Sequence, residues 1–144
     1  MQIQMMTIKD PEKVFITARN ESGDVLADGQ LVYWLQTDPV SVGVGSIAGL
    51  GVSLSGLEFA PAGFVNSNGK TVINGAFCML QVYGVITKAI ADGVIAANQP
   101  LRGSVGTPGS VIFAALTPGT YVGTAIGNTV DFPDGKARLF IRLM

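Results

Sequence analysis

Glycine and proline interrupt this chain along its whole length. Nineteen glycines and seven prolines in 144 residues leave between them short runs rich in Val, Ile, Leu and Phe, a spacing that favours short strands joined by tight turns. Val14-Phe15-Ile16-Thr17-Ala18 reads as a strand, Asn20-Glu21-Ser22-Gly23 as a turn, and Gln30-Leu31-Val32-Tyr33-Trp34-Leu35 as a second strand. Asn68-Gly69, Asn74-Gly75 and Asp134-Gly135 carry the dipeptides that favour type I′ hairpin turns. Tyr83 to Ala91 places Ile86 and Ile90 at helical spacing, but its β-branched residues and the Asp92-Gly93 that follows favour a strand. One internal echo is present. Val25-Leu26-Ala27-Asp28-Gly29-Gln30 and Val94-Ile95-Ala96-Ala97-Asn98-Gln99 align with Val, Ala and Gln identical and Leu26 against Ile95, as two turn-into-strand units within one sandwich or barrel would.

The length suits one domain with a real core. The expected fold is all-β: a single-domain β-sandwich or β-barrel of short antiparallel strands spanning residues 14–144, preceded by an extended N-terminal arm, residues 1–13. In that arm Ile3 and Met5 offer apolar contacts, while Lys9-Asp10-Pro11-Glu12-Lys13 separates them from the first strand. The arm is therefore expected to order against another chain.

Charge and residue types exclude several functions. Only 13% of residues are charged, against about 25% in ordinary soluble chains, so part of the surface is expected to lie against other protein. Nine basic and ten acidic residues give a formal net charge of −1, too little field to gather nucleic acid or an anionic membrane. The chain has one cysteine and no histidine, so an intrachain disulfide, a Cys/His zinc cage and any His-dependent triad are excluded. No metal or cofactor is expected. The first sixteen residues lack the pattern of a secretory signal, which implies synthesis in a cytoplasm. The uncharged stretch from Pro39 to Leu57 holds five glycines and four serines and is poor membrane-spanning material.

Candidate chemical sites resolve into structural readings. Gly43-x-Gly45-x-x-x-Gly49 has neither the dinucleotide spacing nor the lysine of a phosphate loop. Asp131 and Asp134 flank Phe132-Pro133 as turn residues do, and Asp24 and Asp28 read the same way. Cys78, within Ala76-Phe77-Cys78-Met79-Leu80, has no basic neighbour and reads as a small buried hydrophobe. Asn20-Glu21-Ser22 fits a glycosylation pattern but reads as a turn.

The residues with interface character are few. Tyr33 and Trp34 are adjacent in a strand and must face opposite sides, so one is core and Trp34 is a candidate interface anchor. In the last strand Ala137, Leu139, Ile141 and Leu143 form the core side. Lys136, Arg138, Phe140, Arg142 and Met144 form the other. Arg138 and Arg142 could then grip carboxylates or carbonyls of a partner around an exposed Phe140, against the plain reading of a solvated face that discourages edge pairing. Val44 and Leu50, in the glycine-rich stretch, are candidates for contact between subunits.

Three ordered pieces resemble one family. Val25-Leu26-Ala27-Asp28-Gly29-Gln30-Leu31-Val32-Tyr33-Trp34 resembles the Gly-Asp-x-Val-Tyr-Trp element of small capsid decoration proteins of tailed phages. Gly84-Val85-Ile86 through Gln99-Pro100-Leu101 is similar to their central hairpin. Tyr121-Val122-Gly123-Thr124-Ala125-Ile126-Gly127, followed by a turn and Ala137 to Leu143, resembles their ending with its Arg-bearing last strand. Asn98 departs from the pattern, which prefers glycine there, and Pro39 to Leu57 has no counterpart. The resemblance implies a compact β-fold on the outer capsid surface of a virion, gripping the major capsid protein, often as a homotrimer at threefold positions. A tail or fibre-base subunit shares the same composition. A small β-barrel enzyme or ligand-binding module is the remaining alternative.

Overall fold

The computed structural model describes residues 12–34, 51–53, 61–104, 106–114 and 121–143. Among the described residues nine strands form one sheet: β1 (Val14–Asn20), β2 (Leu31–Trp34), β3 (Gly51–Ser53), β4 (Pro61–Val65), β5 (Phe77–Ala89), β6 (Pro100–Gly103), β7 (Val111–Phe113), β8 (Tyr121–Ala125) and β9 (Ala137–Arg142). A single 3-10 turn, Thr129–Asp131, is the one helical element among the described residues. The expected all-β fold is present, and Tyr83 to Ala89 is strand. The N-terminal arm to residue 11 and the glycine-rich stretch, apart from β3, lie outside the described residues.

The sheet order is β1-β3-β2-β4-β5-β9-β8-β6-β7, with a further pairing between β1 and β5. That pairing closes the first five strands into a ring, which removes their edges. The remaining strands run from β5 through β9, β8 and β6 to β7, and a parallel bridge from Val111 to Ala91, just past the end of β5, nearly closes a second ring. β5 belongs to both.

The hydrogen-bonding registers of the two rings coincide. β2 pairs Val32 with Gly63 and then Tyr33 with Pro61, leaving Ala62 as a bulge; β6 pairs Leu101 with Gly123 and then Arg102 with Tyr121, leaving Val122 as a bulge. Phe64 and Val65 pair with Gln81 and Leu80 as Thr124 and Ala125 pair with Phe140 and Leu139. Phe15 and Ile16 face Gln81 and Leu80 as Val85 and Ile86 face Phe140 and Leu139. Parallel contacts join Asn20 to Val52 and Ala91 to Val111. The chain is therefore an internal duplication, with the second half of β5 standing where β1 stands in the first unit. Phe15-Ile16-Thr17-Ala18 and Val85-Ile86-Thr87-Lys88-Ala89 still show it in sequence, with Lys88 the extra residue where the β5–β9 register shifts.

The echo noted in the sequence is the clearest remnant. Gln30 N–H donates to Ala27 O and Gln99 N–H to Ala96 O, each at 3.3 Å, while the Gln30 and Gln99 side chains accept from Ala27 N–H (2.7 Å) and Ala96 N–H (2.9 Å). Both turns need a residue with positive φ: Gly29 at 87° and Asn98 at 68°. Asn is among the few side chains that tolerate that region, so its departure from the glycine pattern keeps the turn. Of the three expected type I′ turns, only Asn68-Gly69 has positive φ at both positions. Asn74-Gly75 has it at Gly75 alone, and Gly135 instead closes a turn begun at Phe132.

Each unit has its own interior. Ala18, Leu26, Val32, Ala62, Val65, Val72, Cys78 and Leu80 fill the first. The second holds the counterparts Ala89, Ile95, Leu101, Val122, Ala125, Ala137 and Leu139, with Ile86, Val111 and Ile141. Alternation along β9 is as expected, Ala137, Leu139 and Ile141 being buried and Leu143 packed beside them. The second interior also takes Leu31, Tyr33 and Phe64, which stand on the opposite faces of β2 and β4 from Val32 and Val65. The outer face of the first unit thus completes the core of the second.

Two polar groups do more than turns require. Asn20, fully buried, donates its amide to Asp24 O (2.8 Å) and Val72 O (2.9 Å) and accepts from Ser22. Asp28 accepts Ser67 N–H (2.9 Å), Gly69 N–H (2.8 Å) and Lys88 Nζ (2.9 Å), and Lys88 also donates to Asn66. Partial burial raises the Asp28 carboxyl, but the Lys88 bond and the two backbone bonds outweigh it, so the net shift is downward. Because Lys88 lies in the second unit's first strand, this pair ties the two units together.

Candidate functional site

The last strand carries the residues that sequence reasoning singled out, and register decides what surrounds them. Tyr83 pairs with Arg142, and Val85 and Thr124 flank Phe140 from the two sides. The result is one outer sheet face carrying Tyr83, Val85, Thr124, Arg138, Phe140 and Arg142. Tyr83 and Phe140 meet edge to face at 5.1 Å with 79° between rings, a favoured aromatic arrangement. Phe140 is consequently half-buried, where sequence alternation had it exposed.

The two arginines differ. Arg142 is exposed at the end of β9. Arg138 is occupied at home: its guanidinium lies 3.6 Å from the Phe132 ring centroid and 3.5 Å from Asp134. The Lys136 backbone N–H, then the Arg138 charge, lower the exposed Asp134 carboxyl. That ion pair is at the surface and contributes little to stability, but it fixes where the Arg138 head sits.

Trp34 ends β2 on its inner side, half-buried against the first interior, while Tyr33 is 5% exposed in the second. The two neighbours do face opposite sides. Ile3, Met5, Val44 and Leu50 lie outside the described residues. Sequence reasoning missed Tyr83 and Phe132, the aromatic partners of Phe140 and Arg138, because their pairing depends on strand order. It also missed a duplicated apolar feature. Val25 and Ile73 are exposed beside the Leu26–Val72 bridge, at 53% and 65%. Val94 and Val130 are exposed at 74% and 70% beside the equivalent Ile95–Thr129 contact.

A solved phage protein shares this fold. The chain is similar to the head fibre gp8.5 N base of bacteriophage phi29, with a TM-score of 0.57, 20% sequence identity, and coverage of 90% of this chain and 94% of that one. No protein-family model and no curated protein sequence matches the chain. At this identity the likeness to the phage fibre base is one of fold, and it spans both units.

No cluster of three or more His, Cys, Asp or Glu residues stands together among the described residues. Burial pushes the Cys78 thiol up, away from the reactive thiolate. An open depression lined by Phe15, Asn66, Ser67, Asn68 and Met79 has no ionisable group among its described lining residues. No described helix is long and apolar enough to cross a membrane. What the surface does offer is aromatic, aliphatic and guanidinium groups on rigid strands.

Proposed function

We propose that this chain is a structural protein of a phage particle that binds the outer face of the assembled capsid, as a homotrimer, and decorates it. The observation that carries the reading is the fold it shares, over nine-tenths of both chains, with the base of a phage head fibre. The outer face of β9 supports the same reading, since arginine and aromatic groups on a rigid sheet are the usual anchors of protein contact. Large exposed apolar side chains, among them Phe77, Met79 and Val94, fit a protein that works against neighbours. A shell partner that binds only the assembled lattice stabilises it by mass action, multiplied over many copies.

A second reading, the base of a fibre or tail structure, draws on the same likeness. Copy number separates the two. Purified protein mixed with intact capsids should co-sediment in numbers near the count of local symmetry axes for decoration, and in only a few copies for a tail base. Arg142→Glu should leave thermal unfolding nearly unchanged and lower capsid occupancy, by about tenfold for each 1.4 kcal/mol lost. Wild-type occupancy of that variant would move the contact off the β9 face, and no co-sedimentation at all would sink the capsid reading.

A further inference from the structure

The duplicated fold contains a contact made once where the symmetry of its parts has places for two. Tyr33 and Leu31 of the first unit reach into the second at Gly103: a Cβ there would overlap the Tyr33 hydroxyl and stand 3.1 Å from Leu31 Cδ2. Leu31 N–H donates to Gly109 O at 2.8 Å across the same boundary. Register gives the counterpart of every participant. Leu31, Tyr33 and Phe64 correspond to Pro100, Arg102 and Thr124 on the second unit, and the receiving Gly103 corresponds to Trp34 on the first. Among the described residues, the apolar core on which Trp34 packs contains no residue of the second unit.

We propose that a second copy of this chain supplies the missing contact. The Pro100, Arg102 and Thr124 face of one copy docks on the Trp34 end of the first unit of the next, and the Arg102 guanidinium stacks on the Trp34 indole. Four observations carry this. The contact continues, between chains, an interface already built within one. The Arg102 guanidinium is only partly satisfied at home: one terminal nitrogen donates to Gly103 O at 3.0 Å, while Nε is buried without a hydrogen-bond partner among the described residues. Both Arg102 and Trp34 remain partly exposed, so each has surface left for a partner. The chemistry of the exchange is coherent, since a glycine floor accepts a phenol whereas an indole accepts a planar cation, the strongest of the cation–π pairings. Tyr121 and Ile126, each 51% exposed on the second unit beside this face, extend the apolar area available. Such a contact is heterologous, so it propagates head to tail until it closes a ring. The proposal rests on the homo-oligomer reading above but not on capsid binding.

Trp34 is the chain's single tryptophan, so the unmodified protein reports on its own docking. Its emission should shift to shorter wavelength with rising protein concentration, in step with the oligomer seen by sedimentation, and Arg102→Glu should raise the self-association constant Kd at least tenfold, about 1.4 kcal/mol. Trp34→Cys and Arg102→Cys, both in a Cys78→Ala background, should cross-link under mild oxidation only when mixed. An oligomer whose Trp34 emission does not move, or whose Trp34→Cys form cross-links with itself, overturns the docking while leaving the oligomer intact. A monomer at every concentration overturns both.

Discussion

The two units of this protein share a register and differ in what covers them. Their interiors are interchangeable in character: Leu26 answers to Ile95, Val32 to Leu101, Leu80 to Leu139. Their outer faces are not. Leu31, Tyr33 and Phe64 of the first unit are buried under the second, whereas Pro100, Arg102 and Thr124 at the same places on the second unit are partly or fully exposed. Burial inside a ring fixes the alternation of a strand, while the outward residue is free to follow whatever neighbour it meets. The duplication thus preserves topology and lets one face specialise for the chain's own partner unit and the other for something outside it.

The largest way to break this comparison is at Phe64 and its counterpart. Phe64 is fully buried among second-unit residues, so Phe64→Ala should cost roughly 3–5 kcal/mol of folding stability through lost burial and a residual cavity. Thr124→Ala at the equivalent exposed site should stay within about 0.5 kcal/mol. Urea unfolding of the two variants measures both. Similar losses would mean that the outer faces are not differently used. Because β5 serves both rings, Phe64→Ala should also lower the stability of the whole chain in one transition rather than release one unit alone.

How far the sequence could be read follows from the same distinction. The alternation of Ala137, Leu139 and Ile141 is legible because a buried strand face must be apolar every second residue. The Ala27 to Gln30 and Ala96 to Gln99 turns are legible because few residues accept positive φ. The full duplication was not, since β2 and β6 share no identical residue at equivalent positions and only their bulges and registers agree. Arg138 stood out beside Arg142, but its pairing with Phe132 arises from the fold of the Thr129–Asp131 turn. The Asp28–Lys88 pair joins residues sixty positions apart, and no local pattern marks it.

That pair offers a sharper probe of how the units are joined. The first unit's turn holds Asp28 against Lys88, a residue with no counterpart in β1, so the equivalent Ala97 makes no such tie. Asp28→Asn should cost about 1–3 kcal/mol near neutral pH, as loss of charged hydrogen bonds in a partly buried site does. The folded carboxyl is held below its ordinary value, so its contribution is complete above about pH 3.9, the unfolded value, and is lost as pH falls through the lower folded value. The stability gap between wild type and Asp28→Asn should therefore be constant from neutral pH down to that point and close below it. A gap that persists in strong acid would assign the effect to packing instead of charge.

The finest difference between the units lies in their matched turns. Gly29 and Asn98 hold the same left-handed position, but their surroundings are unlike: a Cβ on Gly29 would overlap the Lys88 carbonyl, whereas Asn98 is exposed. Asn98→Gly removes the small cost of a side chain at positive φ and adds unfolded-state entropy, two effects of opposite sign and similar size. Its net effect should be a few tenths of a kcal/mol in either direction. Asn98→Ala discards the tolerance that asparagine has for this region and should cost about 1 kcal/mol. Gly29→Asn keeps that tolerance, yet it must push the Lys88 backbone aside, so it should cost more than Asn98→Ala even though φ alone would permit it. Thermal unfolding of the three variants ranks them directly. If Gly29→Asn is as mild as Asn98→Gly, the two turns sit in equivalent surroundings and the close approach at Lys88 is not what distinguishes the first unit.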